Sequence, residues 1–233
     1  MNEGGDQLTM LDINNIAILE IFGFEILITE TIVNTWIIMG ILIVLAILAR
    51  IKLKSFKVVP TGVQNIIETI VEMFDTFVVN TMGSKLSYIG SWFFMVFVFV
   101  LSASLLSPFG LRAPTADFAT TFALAFASFL LMLILGFKHN KGDYLKTFFE
   151  PHFIFFPLNI IGELAKPVSL SFRLFGNVLS GTIILTLYYG LTPFLVQIGI
   201  PAALSAFFDV IIGALQTYIF VILSMMYIKG AAD

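Results

Sequence analysis

Long uncharged apolar runs, separated by short polar clusters, set the pattern of this chain. "IVNTWIIMGILIVLAILA", residues 32–49, holds no charged residue. It predicts a first span, since a helix needs about 20 apolar residues to cross a hydrocarbon core of about 30 Å. "SWFFMVFVFVLSASLLS" (91–107) and "FATTFALAFASFLLMLILGF" (118–137) predict the second and third. From 148 to 189 the chain is again apolar but too long for one perpendicular crossing. Pro151, Pro157 and Pro167 predict a bend or break early in it, because proline cannot supply the helical N–H. A long tilted helix from about 167 to 189 comes next, tilt being how an overlong apolar helix fits a bilayer. "GLTPFLVQIGIP" is a turn, and 202–228 returns as the final span, closing a long tilted hairpin.

Residues 61–82 carry a different pattern. Val63, Ile66, Ile67, Ile70, Val71, Phe74, Phe77 and Val78 recur at helical spacing, with Glu68, Glu72 and Asp75 on the other face. That predicts an amphipathic helix lying on the membrane surface. Its acidic polar face favours a protein partner over plain lipid contact. The fold class expected is therefore an all-α integral membrane protein, a single membrane domain over 1–233. It has five transmembrane helices, one membrane-surface helix and a long tilted hairpin at its C-terminal end.

Charge gives the orientation. "RIKLKSFK" after the first span carries Arg50, Lys52, Lys54 and Lys57, and "KHNKGDYLK" carries Lys138, Lys141 and Lys146. Basic loops stay cytoplasmic, so both predict an N-terminus outside and a C-terminus inside. Residues 1–31 hold Glu3, Asp6, Asp12, Glu20, Glu25 and Glu30 without Lys or Arg. They read as an external acidic tail, unlike a signal peptide or presequence. Only 12% of residues are charged, against about a quarter in soluble domains. No cysteine is present, which excludes disulfides and thiol chemistry, and two histidines are too few for a histidine-rich metal cluster. Neither a metal nor a cofactor is expected, and a net charge of −3 gives no sign of a nucleic-acid partner.

The chemistry concentrates on the last two helices. Arg173 lies in "LSFRLFGNVLSG" with no acidic residue within a helical turn. A mid-membrane arginine costs about 2.5–3.5 kcal/mol on insertion scales, so such residues are functional candidates. Arg173, Asn177, Ser180 and Gly181 fall at i, i+4, i+7 and i+8, one stripe. Asp209, Gly213, Gln216 and Phe220 make a second at i, i+4, i+7 and i+11. An antiparallel hairpin turning near residue 195 sets Asp209 level with about 181, beside Thr182, and Gln216 level with about 174, beside Arg173. Asn177 and Gln216 equally suit interhelical hydrogen bonding, Gly176 and Gly181 suit close packing, and Asp209 suits a hydrated interface. Arginine does not deprotonate in proteins. A permanent cation without an acidic neighbour suggests a carboxylate on another subunit.

"KPVSLSFRLFGN" followed by "ALQTYIF", with "PTAD" in an external turn, resembles subunit a of the F-type rotary ATP synthase over nearly the whole chain. The resemblance implies a non-catalytic stator subunit in a bacterial plasma membrane. Its partners would be a ring of rotor c subunits, the b subunits of a peripheral stalk, reached through the surface helix, and the bilayer. Two aqueous half-channels would carry H+ or Na+ to and from the ring carboxylate. Arg173 matches the essential arginine, Gln216 the glutamine on the final helix, and Asn177 the polar residue a turn along. Two positions depart from many members. Thr182 stands where a carboxylate is common, and Asp209 where some carry histidine. Asp209 is expected to take over the relay, with Ser180 and Thr182 offering oxygen ligands. The alternative, a stand-alone channel or transporter, lacks an internal repeat.

Overall fold

The structure is a computed structural model. It describes residues 15–21, 24–53, 62–109, 111–147, 149, 152–192 and 199–232. Residues 1–14 of the expected acidic tail, and Lys54 and Lys57 of the first basic loop, lie outside that set.

The described chain opens on an antiparallel pair, β1 (Asn15–Ile21) and β2 (Phe24–Thr29). Glu20 stands opposite Glu25 and Ile18 opposite Leu27. The two runs are short and rich in isoleucine, a composition that suits a strand. This hairpin lies within the segment expected as an external acidic tail. The elements described after it are all helical. α1 (Glu30–Leu53) begins on an acid and ends on Arg50 and Lys52, charges that oppose the helix dipole at each end. Its buried residues are Thr31, Asn34 and Ile38, and from Trp36 to Leu53 large apolar side chains are exposed all round it. An apolar surface of that extent needs lipid as its solvent.

α2 (Val63–Met82) comes next, then a 3-10 turn (Ser84–Ile89), α3 (Gly90–Ser104) and α4 (Phe118–Thr147). α5 runs from Phe156 to Leu191, α6 from Ile200 to Ser205, a π-helical segment from Ala206 to Ile212, and α7 from Gly213 to Ala232. Among the described residues, five helical segments are long and apolar enough to cross a membrane, with α6, the π segment and α7 together giving the last.

Two boundaries differ from expectation. The lysine-bearing segment after 137 continues α4 to Thr147 instead of forming a loop. Asn140 Nδ2 donates to the Ala231 carbonyl at 3.1 Å, and the Tyr144 ring lies where a Cβ on Gly136 would touch it, so packing carries the helix past the end of its apolar run. α5 starts at Phe156 rather than about 167. Pro157 falls in its first turn, where the missing N–H has no intrahelical acceptor. Pro167 sits inside the helix and withdraws only the bond to the Glu163 carbonyl. At 36 residues and about 1.5 Å per residue, α5 is far longer than the bilayer core.

Two compact units divide the chain. The first comprises Met1–Gly40, Phe99–Thr121 and Phe172–Thr217, and the second comprises Ile41–Val98, Phe122–Ser171 and Tyr218–Asp233. In the first, the buried Asn34 donates Nδ2 to the Arg112 carbonyl at 2.9 Å, and Thr31 Oγ1 donates to Asp117 Oδ2 at 3.4 Å. Asp117 Oδ1 also accepts the Ala119 N–H, which caps α4. In the second, Phe74 of α2 meets Phe94 and Phe97 of α3 at 5.1 and 5.8 Å, while Val63, Ile66, Ile70, Val71 and Met73 stay exposed. Glu68, Glu72 and Asp75 are exposed as well.

Candidate functional site

All six residues singled out from sequence lie in the first unit. α5 is unbroken α-helix through 173–182, so its faces are set by about 3.6 residues per turn. Arg173 and Ser180 are exposed and Asn177 is half-buried. With spacings of four and three they share one face, beside the buried row of Leu170, Leu174 and Gly181. Thr182 does not join them. Nine residues make about two and a half turns, which sets Thr182 on the side of α5 opposite Arg173.

Three hydroxyls on α5 spend their protons on their own helix. Ser180 Oγ donates to the Asn177 carbonyl at 2.9 Å, Thr182 Oγ1 to Val178 at 3.0 Å, and Thr186 Oγ1 to Thr182 at 2.8 Å. Each oxygen therefore presents lone pairs outward, as an acceptor for a cation or a water. Among the described residues, no hydrogen bond or ion pair holds the Arg173 guanidinium. Its charge is offered outward from an apolar helix.

Facing α5 is the π segment. A Cβ built on Gly181 would lie 3.4 Å from Phe208 Cβ and 3.9 Å from Asp209 Oδ1. The hairpin register read from sequence, Asp209 level with about 181, agrees with that contact. The second stripe does not survive intact. Asp209 and Gly213 share a face only in continuous α-helix, and a π turn holds an extra residue. Gly213 faces α3 instead, where an added Cβ would stand 2.9 Å from Ser104 Cβ. Asp209 itself is half-buried, and its Oδ2 accepts a hydrogen bond from Ser205 Oγ at 2.6 Å. Sequence reasoning missed Ser205; the signal was present as a hydroxyl four residues before the acid. On α7, Gln216 is half-buried, and its Nε2 is buried without a hydrogen-bond acceptor among the described residues.

A multi-span helical protein that exposes an unpaired permanent cation, with oxygen acceptors beside it and a carboxylate on the next helix, has the makings of an ion-translocating membrane subunit. Comparison with known proteins agrees. Residues 32–229 match the family described as ATP synthase A chain. ATP synthase subunit a of Trichlorobacter lovleyi is 35% identical over 213 residues, covering 88% of this chain and 87% of the relative. That of Moorella thermoacetica is 37% identical over 204 residues, covering 86% and 89%. "ATP synthase subunit a, sodium ion specific" of Propionigenium modestum is 34% identical over 232 residues, covering 91% and 76%. The chain belongs to the ATP synthase subunit a family. It is a non-catalytic, multi-pass stator subunit of the membrane sector, and it works in a complex with other subunits.

Proposed function

We propose that this subunit carries the coupling ion through two aqueous half-channels to and from a carboxylate on a rotating ring of c subunits, with Arg173 as the gate between them. The observation that carries the reading is Arg173 itself, exposed on a membrane-spanning helix with no partner among the described residues. A guanidinium in lipid is costly, and it cannot shed its charge. A ring carboxylate supplies the counter-charge. As each one arrives, Arg173 stabilises its ionised form, releases its ion and blocks direct passage from one half-channel to the other.

Asn177 and Ser180 flank the gate on the same face, and Gln216 offers an amide donor from the final helix. Asp209, facing Gly181, lines the outer half-channel and replaces the carboxylate that Thr182 lacks. The coupling ion is H+ or Na+, and the sodium-specific relative makes the second worth testing. α2, acidic on one face and exposed on its apolar flank, meets the b subunits of the peripheral stalk. The N-terminus is outside and the C-terminus cytoplasmic, in a bacterial plasma membrane.

The test is ATP-driven ion pumping by the whole complex in membrane vesicles. Arg173→Ala should abolish coupled pumping while complex assembly persists; pumping at the wild-type rate would refute the gate. Asp209→Asn should lower pumping, and an unchanged rate would remove Asp209 from the path. ATP synthesis driven by a sodium gradient, with a protonophore present, assigns the ion.

A further inference from the structure

The Asp209 carboxylate is held in an unusual way. Other hydroxyls in this unit donate back to the carbonyl four residues earlier, as Thr182, Thr186, Thr192 and Thr217 do. Ser205 instead donates forward, to Asp209 Oδ2 at 2.6 Å. That bond occupies one carboxylate oxygen. The other, Oδ1, lies 3.9 Å from where a Cβ on Gly181 would stand, beside Phe208 Cβ at 3.4 Å.

The backbone cooperates. Between Ser205 and Gly213 the chain is π-helical. Its i→i+5 bonds give one more residue per turn than α-helix, which rotates α6 by up to about 100° relative to α7. Gly213 fixes the far end: it is buried against Ser104, and a Cβ there would meet Ser104 Cβ at 2.9 Å. In straight α-helix Asp209 would lie near the Gly213 face and turn toward α3. The π turn carries it to α5 instead. Single π turns inside α-helices frequently mark functional sites.

We propose that Ser205 and the π segment are an aiming device for Asp209, with Oδ2 anchored by the Ser205 hydroxyl and Oδ1 presented toward Gly181 as the oxygen that meets the coupling ion. Ser205 is then a positioning residue. The inference rests on Asp209 lining the ion path, and it adds which oxygen acts and what orients it.

The experiment reconstitutes the whole complex in liposomes and tracks gradient-driven ATP synthesis at graded coupling-ion concentration on the uptake side. Ser205→Ala should raise the half-saturating concentration about ten- to a hundredfold, the range set by losing one hydrogen bond to a charged group. The maximum rate should fall by less than half-saturation rises. Ser205→Thr keeps the hydroxyl and should restore most of the loss. If Ser205→Ala leaves half-saturation unchanged while Asp209→Asn impairs synthesis, the aiming proposal is wrong and the role of Asp209 stands. If Asp209→Asn is itself without effect, the underlying reading fails and this one with it. Equal impairment by Ala and Thr in fully assembled complex also overturns the proposal, since shape rather than the hydroxyl would then matter.

Discussion

Gly213→Ala tests the packing on which the π segment ends. The new methyl would stand 2.9 Å from Ser104 Cβ and 3.2 Å from Ser104 Oγ. Real Cβ atoms essentially never approach to 2.9 Å, and Ser104 Cβ is fixed to its own backbone rather than being the free end of a flexible chain. α3 or α7 must shift. Overpacking of this kind costs about 1–3 kcal/mol, and alanine's better helix propensity, about 1 kcal/mol over glycine, offsets part of it. The net loss is on the order of 1 kcal/mol. A double-mutant cycle isolates the contact. Ser104→Ala in the Gly213→Ala background relieves only the Oγ contact and should recover little, whereas Ser104→Gly removes the clashing Cβ and should recover most. The assay is retention of this subunit in purified complex during a thermal ramp in mild detergent. Gly213→Ala matching or exceeding the wild type, or Ser104→Ala rescuing as well as Ser104→Gly, would refute the reasoning.

Two further outcomes are expected. Asn34→Ala leaves the Arg112 carbonyl without its buried donor and should destabilise the subunit by about 1–3 kcal/mol; Asn34→Asp, which sets an acceptor against that carbonyl, should be worse in the same thermal assay. Tyr144, past the end of the third span, has its phenol pushed up to about 12 by burial first and the Glu163 charge second. The folded chain thus favours the neutral phenol, so this contribution is complete below about pH 10 and is lost as pH rises toward 12. Tyr144→Phe should flatten that alkaline limb of stability, and an unchanged limb would contradict it.

The spans were legible because a run of about 20 apolar residues is a one-dimensional signal that needs no tertiary information. Their ends were less so, because a helix stops where its backbone bonds and packing stop. α4 passes through Lys138 and Asn140 because Asn140 finds the Ala231 carbonyl, a partner 91 positions away in sequence. The proline at 157 read as a break, yet it lies in the first turn of α5, where proline is accommodated. Arg173 stood out as a candidate through its cost, an arginine in an apolar helix, and the structure adds that it has no hydrogen-bond or ion-pair partner among the described residues.

The π turn was not legible in sequence, and the reason bears on the site. Periodicity arguments assume one angle per residue, so they align Asp209 with Gly213 and Gln216. The alignment fails because Gly213 is committed to Ser104 on α3 while Asp209 contacts the Gly181 face of α5. Two neighbours on different sides cannot both be met at four-residue spacing in α-helix, and the π segment resolves the conflict. The same geometry separates Thr182 from Arg173. Asp209 meets α5 at Gly181, eight residues and about two turns along the helix from Arg173, so an ion met there must still pass along the helix to come under the influence of Arg173. A carboxylate placed directly beside Arg173 would pair with it permanently and cancel the charge on which the proposed gate depends. Holding Asp209 at Gly181, about two turns along α5 from Arg173, through Ser205 and the π turn, leaves the guanidinium without a carboxylate partner among the described residues.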